Sequence, residues 1–265
     1  MRHVFKILTV PIATLLAIVI APAAIAAGPQ DFRGEYTVSF LGLSMAKAAF
    51  SSRYENHGYA ISGSVSSAGL ARLFDDTQGT ISTSGRVLDS GVEPKAFRAD
   101  YTSGKKASLI DIRFTKGNVT TTRVEPPPKV RGADWLPLGA ADLAGVADPI
   151  AATIIRAKSL DAVCGRTVKM YDGEMRADLV LAYVEKGAMS VQGYEGPTVT
   201  CRLRFQPVSG YRKGRKALEF LRNKSLIKVT FAPLGETGIY APIHATVGTE
   251  IGTITIRARR FEATN

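Results

Sequence analysis

The stretch CGRTVKMYDGEMRADLVL, Cys164 to Leu181, sets two apolar runs around a turn. TVKMY and ADLVLAYV flank Asp172-Gly173, which predicts a two-residue hairpin. Gly supplies the positive φ that such a turn needs, and Asp tolerates it. The stretch also holds one of the chain's two cysteines. The other lies in VTCRLRF, where Val199, Cys201, Leu203 and Phe205 alternate with Thr200, Arg202 and Arg204. Strict alternation marks a half-buried strand, so Cys201 is expected to face the core.

The same period recurs on both sides. YTVSF (36–40), YAISGSV (59–65), FRADY (97–101), SLIDIRF (108–114), LIKVTF (226–231) and TITIRA (253–258) all place apolar residues on one face. Turn residues separate them at short intervals, which argues for antiparallel pairing and against a βαβ fold. Two segments depart from this period. SSAGLARLFDD predicts a short helix with Leu70, Leu73 and Phe74 on one side. ADPIAATIIRAK predicts another, with Asp148 as cap, Pro149 in the first turn and Ile150 and Ile154 on one face. Arg156 and Lys158 would favour its C-terminal end. EPPPK (125–129) reads as a stiff connector, because its prolines cannot join a central strand. The expected fold is mainly β: an antiparallel, curved or spiral sheet, or an incomplete barrel, with one or two short helices.

The N-terminus sets the compartment. Arg2 and Lys6 precede an apolar run from Ile7 to Ile20, and APAAIAAGPQ then offers small residues at Ala24 and Ala26. This is the pattern of a secretory signal, with cleavage expected after Ala26. Residues 27–265 are then expected to form one β-rich domain in a bacterial periplasm, with no later transmembrane segment. Loss of Arg2 and Lys6 leaves 32 basic residues against 23 acidic ones, a net charge of +9. Such a balance favours anionic partners. In that compartment these are lipid, lipopolysaccharide, peptidoglycan or an acidic envelope protein, and nucleic acid is not expected. An oxidising compartment also favours a Cys164–Cys201 disulfide, worth roughly 4 kcal/mol by chain entropy.

Chemistry is thinly represented. Beyond the leader the only histidines are His57, in a polar turn, and His244, in an alternating run. C-x-x-C spacing, a G-x-S-x-G elbow and H-E-x-x-H are all absent, so no catalytic residue, metal site or cofactor is assigned. Asp172, Glu174, Arg176 and Asp178 crowd the predicted hairpin, where Arg176 and Asp178 would share a strand face and pair. The segment SGYRKGRKALEFLRNKS carries Arg212, Lys213, Arg215, Lys216, Arg222 and Lys224 against Glu219 alone. It reads either as a solvated loop and short helix with Leu218 and Leu221 packed inward, or as a surface for anionic groups with Tyr211 and Phe220 entering an interfacial layer.

Taken in order, YTVSFLGLSMAKAAF, DPIAA, a Cys with YDGEMRADL, GPTVTCRLRFQPVSGYR and PIHATVGTEIGTITIRARRF resemble the exported bacterial proteins grouped as domain of unknown function 3108. The resemblance implies no particular activity. At fold level it is similar to spiral β-sheet proteins linked to cell-envelope integrity and, more remotely, to half-barrel carriers of lipoproteins. Three readings follow. The first is a non-enzymatic periplasmic protein that supports the envelope by binding an amphiphile, an envelope polymer or an envelope protein. The second is a lipid or lipoprotein carrier with a barrel cavity. The third is a hydrolase acting on an envelope polymer.

Overall fold

A computed structural model describes residues 30–69, 72 and 76–264. The signal peptide expected at residues 1–26 lies outside the described residues, as do Leu70, Leu73 and Phe74 of the first expected helix. In chain order the elements are β1 (Gln30–Phe40), β2 (Leu43–Glu55), β3 (Gly58–Ser67), β4 (Thr77–Leu88), β5 (Gly91–Ser103), β6 (Lys106–Thr115), β7 (Asn118–Glu125) and β8 (Trp135–Leu136). There follow β9 (Ile155–Arg156), β10 (Arg166–Tyr171), β11 (Arg176–Val191), β12 (Tyr194–Ser209), β13 (Tyr211–Arg212), α1 (Lys216–Asn223), β14 (Ile227–Pro233), β15 (Ile239–Thr249) and β16 (Gly252–Ala263).

Among the described residues, 14 strands form one antiparallel sheet in the order β10-β11-β12-β14-β15-β16-β1-β2-β3-β4-β5-β6-β7, with β9 added on β15. β8 and β13 form a separate pair. Most neighbours are consecutive in sequence because tight hairpins join them. At Asn56-His57 (φ 48 and 64) and Lys116-Gly117 (φ 51 and 73) both turn residues are left-handed. That is the turn geometry whose twist matches paired strands.

The sheet curves but does not close, since β7 and β10 are its unpaired ends. The segment Val146–Asp148 spans the gap between them. Val146 donates its N–H to Gly117 O at the β6–β7 turn, while Ala147 N–H donates to Lys169 O and accepts, at its carbonyl, the N–H of Tyr171 in β10. The Tyr171 hydroxyl adds a 3.3 Å bond to Thr122 of β7. Inside the curve lie three apolar clusters: one around Phe32, Tyr59, Ile243 and Phe261, one around Val163, Val199 and Phe231, and one around Phe97, Ile112 and Val146. Cys164 and Cys201 are bonded in the second cluster, with Cα atoms 5.7 Å apart.

Two local expectations are corrected. The segment after Asp148 is not a helix. It makes a single 3-10 turn at Ala151–Thr153 and then extends as β9, where Ile155 pairs with Tyr240. Asp148 does cap the turn, since its Oδ1 accepts the N–H groups of Ile150 (3.0 Å) and Ala151 (2.9 Å). Propagation fails because Thr153, Ile154 and Ile155 are all β-branched, and the β15 edge satisfies the backbone more favourably than a further helical turn. The hairpin at Asp172-Gly173 is likewise longer than two residues. Tyr171 pairs with Arg176, which leaves residues 172–175 as the loop. Asp172 Oδ1 accepts the N–H of Glu174 (2.9 Å) and of Met175 (2.7 Å), so a side chain organises what the main chain of a tighter turn would have done.

Candidate functional site

The inner face of the sheet carries an open, apolar groove of about 470 Å³ between β1–β3 and β14–β16. The register builds it. Tyr36 stands between Ala48 of β2 and Ala258 of β16, and Val38 between Ala46 and Ile256, so small residues flank large ones and leave a hollow. Ala48 and Val65 continue the same face onto β3. Ile150, Ile154 and Leu234 line the groove from the connecting segments. The groove's hydroxyls at Tyr36 and Thr153 are already engaged by backbone: Tyr36 donates to Pro242 O (3.0 Å) and Thr153 to Ile150 O (2.7 Å). Burial pushes the Tyr36 hydroxyl far above its usual pKa, so it remains a neutral donor. The surface that remains suits an aliphatic chain.

A second apolar hollow of about 660 Å³ lies between α1 and the ends of β1, β15 and β16. Val38 and Val247 line both hollows, so the two are adjacent. Phe220 and Leu221 of α1 face this hollow together with Ala217. Phe220 is half-buried and lines the hollow on the sheet side of α1. Leu218, expected beside Leu221, instead lines a polar cleft.

That cleft, about 840 Å³, is the larger space, and two of its arginines are neutralised by carboxylates. The Arg131 guanidinium lies 3.9 Å from the Trp135 ring centre and also pairs with Glu174. Arg212 pairs with Asp134 and holds that carboxyl below its usual range. Arg212 is thus taken up locally. Lys213, Arg215, Lys216, Arg222 and Lys224 make no ion pair among the described residues; Lys213 and Arg215 line the polar cleft, while Lys216, Arg222 and Lys224 lie on α1 and its C-terminal flank.

The hairpin charges are structural. Arg176 bonds Asp178 at 2.8 Å, and Arg176 is buried, so the pair is internal and not a surface cluster. Sequence reasoning gave Asp148 only a capping role. It is fully buried, and Thr83 donates to its Oδ2 at 2.7 Å, with the Tyr59 hydroxyl 3.4 Å from Thr83 Oγ1. Burial raises its pKa to about 6. Only the Asp-Pro cap signal pointed toward it. His57 sits in the β2–β3 turn with φ 64. His244 lies opposite Arg257 and Thr230, its pKa lowered by burial and then by Arg257. Among the described residues, no group of three or more His, Cys, Asp or Glu is placed to hold a metal ion. No helix among them is long and apolar enough to cross a membrane.

No curated protein shows significant sequence similarity to the chain. A crystal structure described as a beta-barrel-like protein of domain of unknown function DUF1849 from Brucella abortus is similar at a TM-score of 0.45 and 10% identity, over 91% of this chain and 100% of that one. Residues 35–259 match the model of the family described as protein of unknown function (DUF3108). The open antiparallel sheet, the Cys164–Cys201 pair and the linked YDGE and SGYR turns are therefore the features of a member of the DUF3108 family, to which this chain belongs.

Proposed function

We propose that the chain is exported to the periplasm, that residues 27–265 form one non-enzymatic domain there, and that it serves the cell envelope by holding the apolar chain of an amphiphile. The apolar groove of about 470 Å³ carries this reading. Its size falls within the range of small-molecule sites. Each methylene moved from water into such a surface contributes about 0.8 kcal/mol, so a ten-carbon chain gains roughly 8 kcal/mol before the entropy of association is subtracted. The leader-like N-terminus and the cysteine pair support the compartment. The unpaired cations of the α1 segment supply the contact for an anionic envelope partner.

A fluorescent fatty acid titrated against the full mature chain tests the groove. Saturable binding that unlabelled long-chain fatty acid displaces is expected. Ala48 is half-buried on the groove face, so Ala48→Trp puts an indole into the hollow. It should cut affinity by at least about tenfold, the loss of one or two buried methylenes' worth of contact, with the melting temperature nearly unchanged. If both the native chain and Ala48→Trp bind the probe equally, or neither binds it, the groove does not hold an aliphatic chain.

A further inference from the structure

Several strand ends meet at the open end of the second hollow: the tips of the β1–β2 and β15–β16 hairpins and the start of β14. Leu41 N–H bonds Thr253 O, and Gly248 N–H bonds Leu226 O, which binds the three together. At this end the chain exposes large aliphatic side chains: Leu41 at 65%, Leu43 at 58%, Ile251 at 79% and Leu226 at 50%. Single exposed leucines are ordinary, but four on adjoining tips form a patch.

Leu41 is the telling residue. Its φ is 49°, in a region where a branched, bulky side chain is unfavourable, although Gly42 beside it has φ 83° and would suit any turn. Among the described residues, the other left-handed turn residues that are not glycine are Asn56, His57 and Lys116, all polar. This tip alone, among the described residues, holds an exposed aliphatic side chain on a left-handed backbone, and strain of this sort marks functional positions. Alongside lies α1 with its C-terminal flank, carrying Lys216, Arg222 and Lys224 against Glu219, and against Glu250 beside Ile251.

We propose that this end docks on an anionic phospholipid bilayer. Leu41, Leu43, Ile251 and Leu226 enter the interface while the α1 cations meet the lipid phosphates. Apolar tips flanked by cations are complementary to a negatively charged bilayer surface. They do not suit a soluble polyanion, which gives no return for inserted leucines. Docked in this way, the hollow shared by α1 and the sheet faces the membrane, with the groove adjacent to it. The proposal rests on the reading of the basic segment as an anionic contact. It needs nothing bound in the groove.

The test is flotation of the full mature chain with vesicles of phosphatidylcholine alone and of phosphatidylcholine mixed equally with phosphatidylglycerol. Binding to the mixed vesicles only is expected, weakened by salt. Replacing Lys216, Arg222 and Lys224 with Gln should weaken it by on the order of fivefold per cation. Leu41→Asn relieves the backbone strain, so it should raise the melting temperature while lowering vesicle binding, a pairing that loss of fold cannot produce. Ile251→Trp should shift its emission to shorter wavelength on the mixed vesicles. Failure of the native chain to bind them, equal binding by Leu41→Asn, or an unshifted Ile251→Trp emission overturns the proposal. So does a dimer in sedimentation that Leu43→Ser converts to monomer, since the tips would then pair with a second copy. Ala48→Trp, which puts an indole into the groove, should leave vesicle binding intact, and this separates failure of the groove from failure of docking.

Discussion

At the scale of single residues, Asp148 shows what a cap signal leaves out. An Asp-Pro pair announces an N-cap, and the side chain does bind two backbone N–H groups. Nothing local in the sequence says that Thr83, sixty-five positions earlier, bonds its other oxygen in a place sealed from water. Burial raises the carboxyl from 3.8 to about 6 despite those bonds. The unfolded chain therefore loses its proton first as pH rises, and the folded state becomes less stable across that interval. Between about pH 4 and pH 6 the native chain should lose up to roughly 3 kcal/mol relative to Asp148→Asn, and the difference should be constant above that. Urea unfolding of both proteins across pH measures it; parallel curves would mean the carboxyl is not desolvated. Gly210 makes a similar point. With φ 74°, a Cβ there would lie 1.9 Å from Glu174 O. The SGYR and YDGE motifs occur together because one backbone passes directly over the other, a contact that neither motif reveals on its own.

At the scale of elements, the strands were legible because alternation is a local property. YTVSF, FRADY, SLIDIRF and VTCRLRF all lie in strands; Phe97 and Ala99 of FRADY are buried as expected, but Tyr101, expected on the same face, is exposed near the strand's end. The segment 148–158 was misread for an equally physical reason. Its helical spacing is real, but a run of three β-branched residues and the free β15 edge were decisive, and the edge exists only in the assembled sheet. The disulfide ties β12 to the turn that precedes β10, closing a loop across 37 positions. Chain entropy for that loop predicts a loss of about 4 kcal/mol on Cys201→Ser under oxidising conditions. Denaturant midpoints with and without reductant check this: the native chain should fall toward the variant once reduced, and identical midpoints in oxidant would show that the bond adds nothing.

At the scale of the whole molecule, net charge indicated a preference for anions but not where it would act. Part of the positive charge lies on the outer face, where Arg202 pairs in register with Lys228 and Arg257 with His244. Part lies on α1, and Arg212 is cancelled by Asp134. The groove was illegible for the same reason. It depends on Ala46, Ala48 and Ala258 lying beside Tyr36 and Val38, and Ala258 is far from Tyr36 in the sequence.

The bridging segment Val146–Asp148 makes the sheet a belt fastened by a clasp. Every other junction around the girth is a ladder of main-chain bonds, but here a few bonds and the Tyr171 hydroxyl close the circle. The belt can therefore be let out at one point while its ladders stay whole, and its bore can fit occupants of different thickness. Native hydrogen exchange reads this directly. The amides of Val146, Ala147 and Tyr171 should exchange well before those of Val199 and Ala245, which lie inside the ladders. Uniform protection of all five would mean that the clasp and the ladders open only together.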